Sequence, residues 1–247
     1  MTRFPAALKS WRSARRYSQL DLAGIADISA RHLSFLETGR ARPSRDMVLR
    51  LGRALALPMA AQNQMLGDAG FAPHFASRDW TDADMAPIRQ AVDHMLETHA
   101  PYPALALDRL WTIRQMNPPA RALYGMLGVA SGDSLLDLLM SPALPQVIEN
   151  WPELAARTAH RLRLESLAAG HIAAFDPVIA HLEAAGNAAA LARHPVIPTV
   201  LRMGDLRLSL FATLSQFGTP EDVTLEDIKI ELYFPLDAAT KAYFHAT

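Results

Sequence analysis

The segment between Ser18 and Ser44 constrains this chain most, because two short helices separated by a tight turn can be read from it. Ser18 can cap the first helix, and Ser29 can cap the second. The residues expected to face inward are Leu20, Ala23 and Ala26 in the first helix and Leu33 and Leu36 in the second. Burial of one face of each helix leaves the opposite face of the second helix free. The segment therefore predicts a helix-turn-helix.

The free face of the second helix carries residues that suit the DNA major groove. Arg31 can form a bidentate hydrogen bond to guanine, whereas the Ser29 hydroxyl can reach only a phosphate. Gly39 is predicted to take a positive φ at the end of this helix, and the arginines that follow can neutralise phosphates. The DNA contacts predicted in this way are Ser29, Ala30, Arg31, His32 and Ser34 on the second helix and Arg40 and Arg42 in the loop.

The order of residues in this segment is similar to the lambda-repressor-like family, also called the Cro/C1 or XRE family. The matching positions are Ser18-Gln19, Leu22-Ala23, Ile28-Ser29, Leu33, Leu36, Glu37, Gly39 and Pro43-Ser44. In that family the glutamine of the Ser-Gln pair contacts DNA, so the resemblance implies this role for Gln19. Phe35 departs from the family, since many relatives have a polar residue there that can reach DNA. This departure favours packing for Phe35.

The charge of the chain is divided between its two parts. Residues 1–55 contain eleven Lys or Arg and four Asp or Glu, a net charge of +7. The rest holds 13 basic and 21 acidic residues, a net charge of −8. A basic N-terminal block is typical of a nucleic-acid binder, and an acidic remainder is repelled by phosphates. Only the first part is therefore expected to bind DNA.

Length and composition require a second folded part. A DNA-binding unit of this kind needs about 70 residues, and the rest of the 247 can form a separate domain. The chain has no cysteine, no apolar run long enough for a membrane span and no recognisable signal peptide. These features predict a cytoplasmic protein without a membrane partner.

Beyond the first part, the pattern changes from purely helical to mixed. Helices are predicted at Met85 to Leu96, Ala120 to Leu127, Leu135 to Leu139 and Leu154 to Leu167, and Asn117-Pro118-Pro119 is expected to start the second of them. Strands are predicted at Ala104 to Leu107, Leu110 to Met116, Val196 to Met203, Leu206 to Ser215 and Ile228 to Phe234, with a hairpin turn at Gly204-Asp205. The predicted fold class is a mainly α N-terminal helix-turn-helix bundle plus an α+β PAS-like C-terminal domain.

Two C-terminal segments and one helix resemble the MmyB-type ligand-binding domain. They are His99 to Gly125, Val196 to Thr240 and the helix Trp151 to Arg163. The family joins an XRE-like helix-turn-helix to a PAS-like domain, so the resemblance extends over nearly the whole chain. It implies a transcriptional regulator that encloses an apolar ligand, with fatty acids as the known class. The expected domains are 1–70 for DNA binding, 71–80 as linker and 81–247 for ligand binding.

Inward-facing sheet positions are candidates for the lining of the ligand pocket. They are Leu105, Leu107, Trp111, Ile113, Phe211 and Phe234, although each could equally be ordinary core. Arg161 and Arg163 could bind a fatty-acid carboxylate, with Arg163 retained in the predicted site, but arginines on a helix are also common surface cations. No cofactor is expected besides a possible bound fatty acid.

Two other functions compete with ligand sensing: catalysis, and regulation without a small ligand. The chain lacks a Gly-rich phosphate loop, a Gly-x-Ser-x-Gly elbow and a clear acid-base pair, so neither catalytic residues nor a metal site are predicted. A regulator whose C-terminal domain only dimerises or binds a protein partner remains open. In the preferred hypothesis, a homodimer places two recognition helices roughly 34 Å apart on a palindromic operator, and an apolar ligand alters that spacing.

Overall fold

The computed structural model describes residues 3–187, 196–218 and 220–246. The chain divides into two compact units. The N-terminal unit comprises Met1–Ser77 together with Glu165–Ile172 and Pro220–Glu226. The C-terminal unit comprises Arg78–Leu164, Ala173–Thr219 and Asp227–Thr247. The first break, between Ser77 and Arg78, falls in the segment expected to be a linker.

Five helices make up the first 77 residues. They are α1 (Phe4–Ala14), α2 (Gln19–Ile25), α3 (Ala30–Glu37), α4 (Arg45–Ala54) and α5 (Met59–Asp68). Ser18 and Ser29 cap α2 and α3, since their hydroxyl oxygens accept the backbone N–H groups of Asp21 and His32 at 3.1 Å each. Gly39 has φ +73°, as predicted for the end of the second helix of the helix-turn-helix. The predicted helix-turn-helix is confirmed.

One inward-facing position in α2 is wrong. Leu20 is 73 % exposed, whereas Leu22 is fully buried. Each helical residue turns by ~100°, so Leu20 lies about 200° around the helix from Leu22 and points away from the core. The other inward positions, Ala23, Ala26, Leu33 and Leu36, belong to a core cluster that also contains Phe4, Leu8 and Met65.

The remaining elements follow in chain order. The helices are α6 (Ala86–Thr98), α7 (Pro118–Gly125), α8 (Leu135–Met140), α9 (Leu144–Val147), α10 (Trp151–Ala168), α11 (Asp176–Ala185), α12 (Val223–Asp227) and α13 (Ala238–Ala246). The strands are β1 (Ala104–Leu107), β2 (Ile113–Met116), β3 (Thr199–Met203), β4 (Leu206–Gln216) and β5 (Lys229–Pro235). They form one antiparallel sheet in the order β2-β1-β5-β4-β3, which makes β5 the central strand. A helical N-terminal region and an α+β PAS-like domain are thus confirmed.

Two local predictions in this unit are borne out. Gly204 and Asp205 connect β3 to β4, with Met203 paired to Leu206 and Gly204 at φ +59°. Asn117 caps α7 and is 2 % exposed. Its side-chain oxygen accepts the N–H groups of Ala104 and Ala120, and its amide nitrogen donates to the Leu96 carbonyl oxygen at 2.9 Å. One asparagine therefore ties α6, β1 and α7 together.

The strand predicted from Leu110 begins only at Ile113. The Asp108 side chain accepts the backbone N–H groups of Leu110 at 2.8 Å and Thr112 at 2.9 Å, which closes a turn that the hydrophobic pattern does not reveal. Trp111 lies in this turn at φ +62° and is buried. Trp111 is therefore not a sheet position, contrary to the sequence-based prediction.

The register of the sheet also separates residues that were expected to share one face. Leu105 pairs with Glu231, and Phe211 pairs with Phe234. Paired residues of an antiparallel sheet point to the same side, and neighbours along a strand alternate. Since residues 231 and 234 are three positions apart, they lie on opposite faces. Leu105, Leu107 and Ile113 therefore share the face of Glu231 and Tyr233, which we call the tyrosine face, while Phe211 and Phe234 lie on the other face.

Candidate DNA-binding surface and ligand-binding domain

Helix α3 presents its polar residues on the side opposite the core. Arg31 is exposed, while Ser34 and His32 are half-buried. The Arg31 guanidinium carbon lies 5.4 Å from the centroid of the Phe35 ring one turn later. This geometry allows a cation–π contact and limits the directions that the arginine can take. Phe35 thus contacts Arg31 and is itself half-buried.

The start of α3 combines exposure with a preorganised backbone. Ser29 is exposed and Ala30 is half-buried. The Ser29 hydroxyl oxygen accepts the His32 N–H, so this hydroxyl also has a structural role as cap. Helix N-terminal N–H groups and a cap hydroxyl can both face a phosphate. The structure therefore brings Ser29, Ala30, Arg31, His32 and Ser34 together on one short helix.

Glu37 at the end of α3 is the centre of a buried polar cluster. Its side chain is 2 % exposed and pairs with the Arg12 guanidinium, with Nε to Oε1 at 2.6 Å and Nη2 to Oε2 at 3.1 Å. Gln19 Nε2 donates to Glu37 Oε2 at 2.7 Å. Burial raises the pKa of Glu37. The hydrogen bonds from Arg12 and Gln19 and the positive charge of Arg12 together lower it by more than burial raises it, so the pKa lies below its ordinary value. Gln19, predicted to contact DNA, is thereby held at the start of α2.

The loop after α3 supplies exposed positive charges. Arg40 and Arg42 are both exposed, as expected for residues that neutralise phosphates. Arg45, at the start of α4, instead lies 3.1 Å from His74 through Nη2 and Nδ1. Arg40 and Arg42 thus provide exposed cations in this loop.

In the C-terminal unit, the tyrosine face carries a connected polar cluster. Arg161 Nη1 donates to Glu231 Oε1 at 2.6 Å, and the Tyr233 hydroxyl donates to Glu231 Oε2 at 3.0 Å. The hydroxyls of Tyr124 and Tyr233 are 2.7 Å apart. The Arg161 guanidinium carbon lies 4.5 Å from the centroid of the Trp111 ring. We call these five residues the arginine–tyrosine cluster.

The two tyrosines of this cluster are held in their neutral form. Burial raises the pKa of both hydroxyls, and the negative charge of Glu231 raises them further. Because Tyr233 donates its proton to Glu231, the Tyr124 hydroxyl must be the donor in the bond to Tyr233. The hydrogen bonds therefore run in one direction, from Tyr124 through Tyr233 to the carboxylate.

The residues predicted as ligand contacts fall into three places. Leu105, Leu107 and Ile113 are fully buried on the tyrosine face, and Trp111 packs beside Arg161 there. Phe211 and Phe234 stack on each other on the opposite face, with ring centroids 5.3 Å apart. Arg163 is exposed and forms an ion pair with Glu183. The structure thus brings together only the first group, and Arg163 points away from it.

Sequence reasoning missed Glu231, Tyr233 and Tyr124. A signal for the first was present, because Lys229 and Glu231 are charged residues two positions apart in an otherwise apolar run. Charged side chains are rarely buried without a partner. Both residues are in fact buried on the central strand. Their alternation with apolar residues would have marked a polar patch inside the sheet.

The described part of the chain has neither a metal-binding cluster nor a membrane-spanning helix. Residues 3–187, 196–218 and 220–246 contain no group of three or more His, Asp or Glu arranged to hold a metal ion. Every helix in those ranges is too short or too polar to cross a bilayer.

Comparisons with known proteins match two family models, one in the N-terminal part of the chain and one in the rest. The family model described as "Helix-turn-helix domain" matches residues 3–63. The model described as "MmyB-like transcription regulator ligand binding domain" matches residues 88–246. Both matched domains are those of a transcription regulator, which argues against a catalytic function.

A comparison with curated proteins gives no match. Among solved structures, an RNA-binding light-oxygen-voltage receptor aligns with 13% sequence identity over 100% of this chain and 62% of its own, with a TM-score of 0.28. The family matches, together with the capped recognition helix and the five-stranded sheet, lead to one conclusion. The chain belongs to the MmyB-like transcription regulators and joins a DNA-binding helix-turn-helix to a ligand-binding domain.

Proposed function

We propose that this protein is a ligand-responsive transcription regulator: it binds an operator as a homodimer through α3, and its C-terminal domain senses an apolar ligand of the fatty-acid class. The observation that carries the proposal is the union of a helix-turn-helix and a ligand-binding domain in one chain. The exposed Arg31 and the positive charge of residues 1–55 support DNA binding. The match of residues 88–246 to a ligand-binding domain supports a small-molecule ligand, and the resemblance to the MmyB-type domain implies the fatty-acid class.

Two kinds of residue contribute differently to DNA binding in this proposal. Arg31 reads a base, so Arg31→Ala is expected to remove roughly 1 to 3 kcal/mol of discrimination between the operator and an altered site. Arg42 contacts only phosphate, so Arg42→Ala is expected to weaken binding to all DNA and to lower the salt slope by about 1. The measurement is a titration of labelled duplexes at several salt concentrations. Identical behaviour of the two variants would contradict these roles.

The ligand must also act through differential binding. A ligand shifts DNA affinity only if it binds the DNA-competent and DNA-incompetent arrangements with different affinities, and the effect is reciprocal. Protein stripped of lipid should therefore bind a fatty acid with different affinities in the presence and absence of operator duplex. Equal affinities would reject ligand sensing and favour a regulator whose C-terminal domain only dimerises or binds a protein.

The material that copurifies with the protein provides an independent test. Denaturing extraction of the purified chain followed by mass spectrometry is expected to release a fatty acid near one equivalent per chain. Addition of that compound should change operator affinity. Release of a different apolar compound that has this effect would retain the sensor and correct the ligand class.

A further inference from the structure

Two segments from the second half of the chain fold as part of the N-terminal unit. They are Glu165–Ile172, which contains the end of α10, and Pro220–Glu226, which lies between β4 and β5 and contains most of α12. Both lie within residues 88–246, which match the ligand-binding domain, and outside residues 3–63, which match the helix-turn-helix. We call them the clamp segments, because each contacts a different helix of the DNA-binding bundle.

The first clamp segment packs against α1 through a glycine. Gly170 has φ +83°, and a Cβ atom at this position would lie 2.1 Å from the Trp11 ring. Only glycine can bring the backbone so close to the indole. Beside it, Arg15 donates through Nη2 to the Ala168 carbonyl oxygen at 3.4 Å and through Nε to the Leu55 carbonyl oxygen at 3.0 Å. Arg15 thus links α1 to the ends of α4 and α10.

The second clamp segment caps α5. Pro58 precedes this helix and offers no side-chain hydrogen bond to its first turn. Glu226 takes that role from 167 positions away, since its Oε2 accepts the Met59 N–H at 2.7 Å. A carboxylate at a helix N-terminus also interacts favourably with the helix dipole. The Val223 N–H donates to the Ala76 carbonyl oxygen at 2.9 Å, so the stretch after α5 is fastened to the same segment.

The helix that the first clamp segment contacts is joined to the recognition helix. Trp11 is followed directly by Arg12, whose guanidinium binds the Glu37 carboxylate at the end of α3. Glu37 also accepts the side-chain N–H of Gln19 at the start of α2. A displacement of α1 would therefore act on α3 and on Gln19, which together supply most of the predicted DNA contacts.

The clamp segments also continue the two elements that meet at the arginine–tyrosine cluster. Arg161 lies on α10 about one helical turn before Glu165. Glu231 and Tyr233 lie on β5, which follows the second clamp segment. The ion pair of Arg161 with Glu231 joins α10 to β5. Both clamp segments are thus close in sequence to the buried polar cluster of the C-terminal unit.

We infer that the clamp segments are the regulatory contact of this protein: docked on α1 and α5, they hold the DNA-binding bundle in one arrangement, and a ligand-driven change of α10 or β5 acts on α3 through them. The inference rests on the proposed function, since it requires a response to a ligand, and it names the residues that carry that response. Gly170 and Glu226 are positioning residues, because they act through α1 and α5. Coupling of this kind needs a contiguous set of contacts, which the two segments supply.

The first test compares two glycines of similar backbone conformation. Gly70 has φ +88° and nothing within 4 Å of an added Cβ atom, whereas an added Cβ at Gly170 meets Trp11. Gly70→Ala is therefore the matched control for Gly170→Ala, since both introduce the strain of a positive φ but only the second displaces a clamp segment. Hydrogen exchange of the complete protein, read by mass spectrometry, should become faster in α1 by about threefold or more in Gly170→Ala and stay unchanged there in the control.

The second test removes the cap of α5. Glu226→Ala should speed hydrogen exchange in the first turn of α5 by about threefold or more, and Glu226→Gln, which keeps an acceptor oxygen, should do so less. Glu221→Ala is the matched control, because Glu221 lies in the same segment but is exposed. It should leave exchange in α5 unchanged. Since the Glu226 variants do not depend on a steric clash, they also decide the question if Gly170→Ala does not fold.

Regulation is measured as the ratio of operator affinities of the lipid-stripped protein with and without hexadecanoic acid. The unchanged protein is expected to give a ratio of at least about fivefold in either direction. Gly170→Ala and Glu226→Ala should bring this ratio to within about twofold of one, while their affinity for the acid in the absence of DNA stays unchanged. A purely structural role would change both operator affinities in parallel and preserve the ratio, which would overturn the inference.

The outcomes distinguish the clamp from the function on which it rests. A preserved ratio in both variants, with a normal response of the unchanged protein, would overturn the clamp and leave the proposed sensor standing. A ratio of one in the unchanged protein would reject the response to this fatty acid. Operator binding should then still slow hydrogen exchange in Pro220–Glu226, because coupling is reciprocal. Absence of that slowing would overturn the clamp as well.

Discussion

The two units each contain a buried Arg–Glu ion pair, and the pairs differ in what surrounds them. In the N-terminal unit, Arg12 binds both oxygens of Glu37 and also donates to the Tyr17 carbonyl oxygen at 2.8 Å. The exposed fractions of these two side chains are 13 % and 2 %. In the C-terminal unit, the arginine is 30 % exposed and lies on a tryptophan. The first pair is almost enclosed and ties α1 to the end of α3, whereas the second belongs to a larger cluster that also contains a tryptophan and two tyrosines.

The largest expected effect is loss of the first pair. Glu37→Ala leaves Arg12 buried without its partner and releases Gln19, so the free energy of unfolding should fall by about 3 to 5 kcal/mol. Denaturant unfolding, with α-helix content as the signal, measures the loss. The matched control is Glu183→Ala, which breaks the exposed pair with Arg163 and should cost at most about 1 kcal/mol. Similar losses in the two variants would remove the contrast between buried and exposed pairs.

A smaller loss of stability is expected from changes in the arginine–tyrosine cluster, which contains the second pair. Tyr233→Phe deprives Glu231 of one donor and Tyr124 of its acceptor, so unfolding should become easier by about 1 to 3 kcal/mol. Tyr124→Phe removes only the hydrogen bond from Tyr124 to Tyr233, so the free energy of unfolding should fall by less. The same unfolding measurement ranks the two variants. A larger loss in Tyr124→Phe would contradict the direction of the hydrogen bonds.

The ion pair between Arg12 and Glu37 should make the free energy of unfolding depend on pH in the acidic range. Its pKa in the folded protein lies below the unfolded value of about 4.3, so the stability it contributes is complete above that value. This stability is lost as the pH falls through the folded pKa. Glu37→Gln should therefore show a weaker decline in unfolding free energy between about pH 5 and pH 3 than the unchanged protein. Parallel curves for the two proteins would show that Glu37 does not carry this dependence.

The smallest expected effect concerns Phe35, which orients an arginine at the surface as Trp111 does in the interior. Phe35→Leu keeps an apolar side chain but removes the cation–π contact with Arg31, which is worth about 0.5 to 1 kcal/mol at an exposed site. Discrimination between operator and altered site should fall by that amount. In an Arg31→Ala background the same change should have no effect on discrimination. An undiminished effect there would mean that Phe35 acts independently of Arg31.

Local signals predicted much of the architecture because the interactions behind them span few residues. Ser29 binds an N–H three residues later, and Asn117 does the same at the start of α7. The Gly204-Asp205 turn likewise depends only on its own residues and the strands beside it. Capping residues and turn residues therefore marked the ends of helices and strands correctly.

Predictions about faces were less successful where a distant contact decides them. Leu20 is apolar but exposed, because the short helix α2 directs Leu22 to the core instead. Trp111 lies in a turn that the Asp108 side chain closes. Phe234 and Leu105 lie on opposite faces of the sheet because the register of the strands places them there. Hydrophobicity alone does not specify that register.

The sequence by itself determined the two-part organisation, the capped recognition helix and the α+β class, because these follow from periodicity, caps and charge within short stretches. Only the tertiary structure decided which buried charges meet. Arg12 and Glu37 are separated by 25 positions and Arg161 and Glu231 by 70. Contacts at such separations depend on how helices and strands pack, and no local pattern records that packing. Arg161 and Arg163 have different partners for the same reason, since two residues along a helix turn a side chain by about 200°, so the first pairs with Glu231 and the second with Glu183.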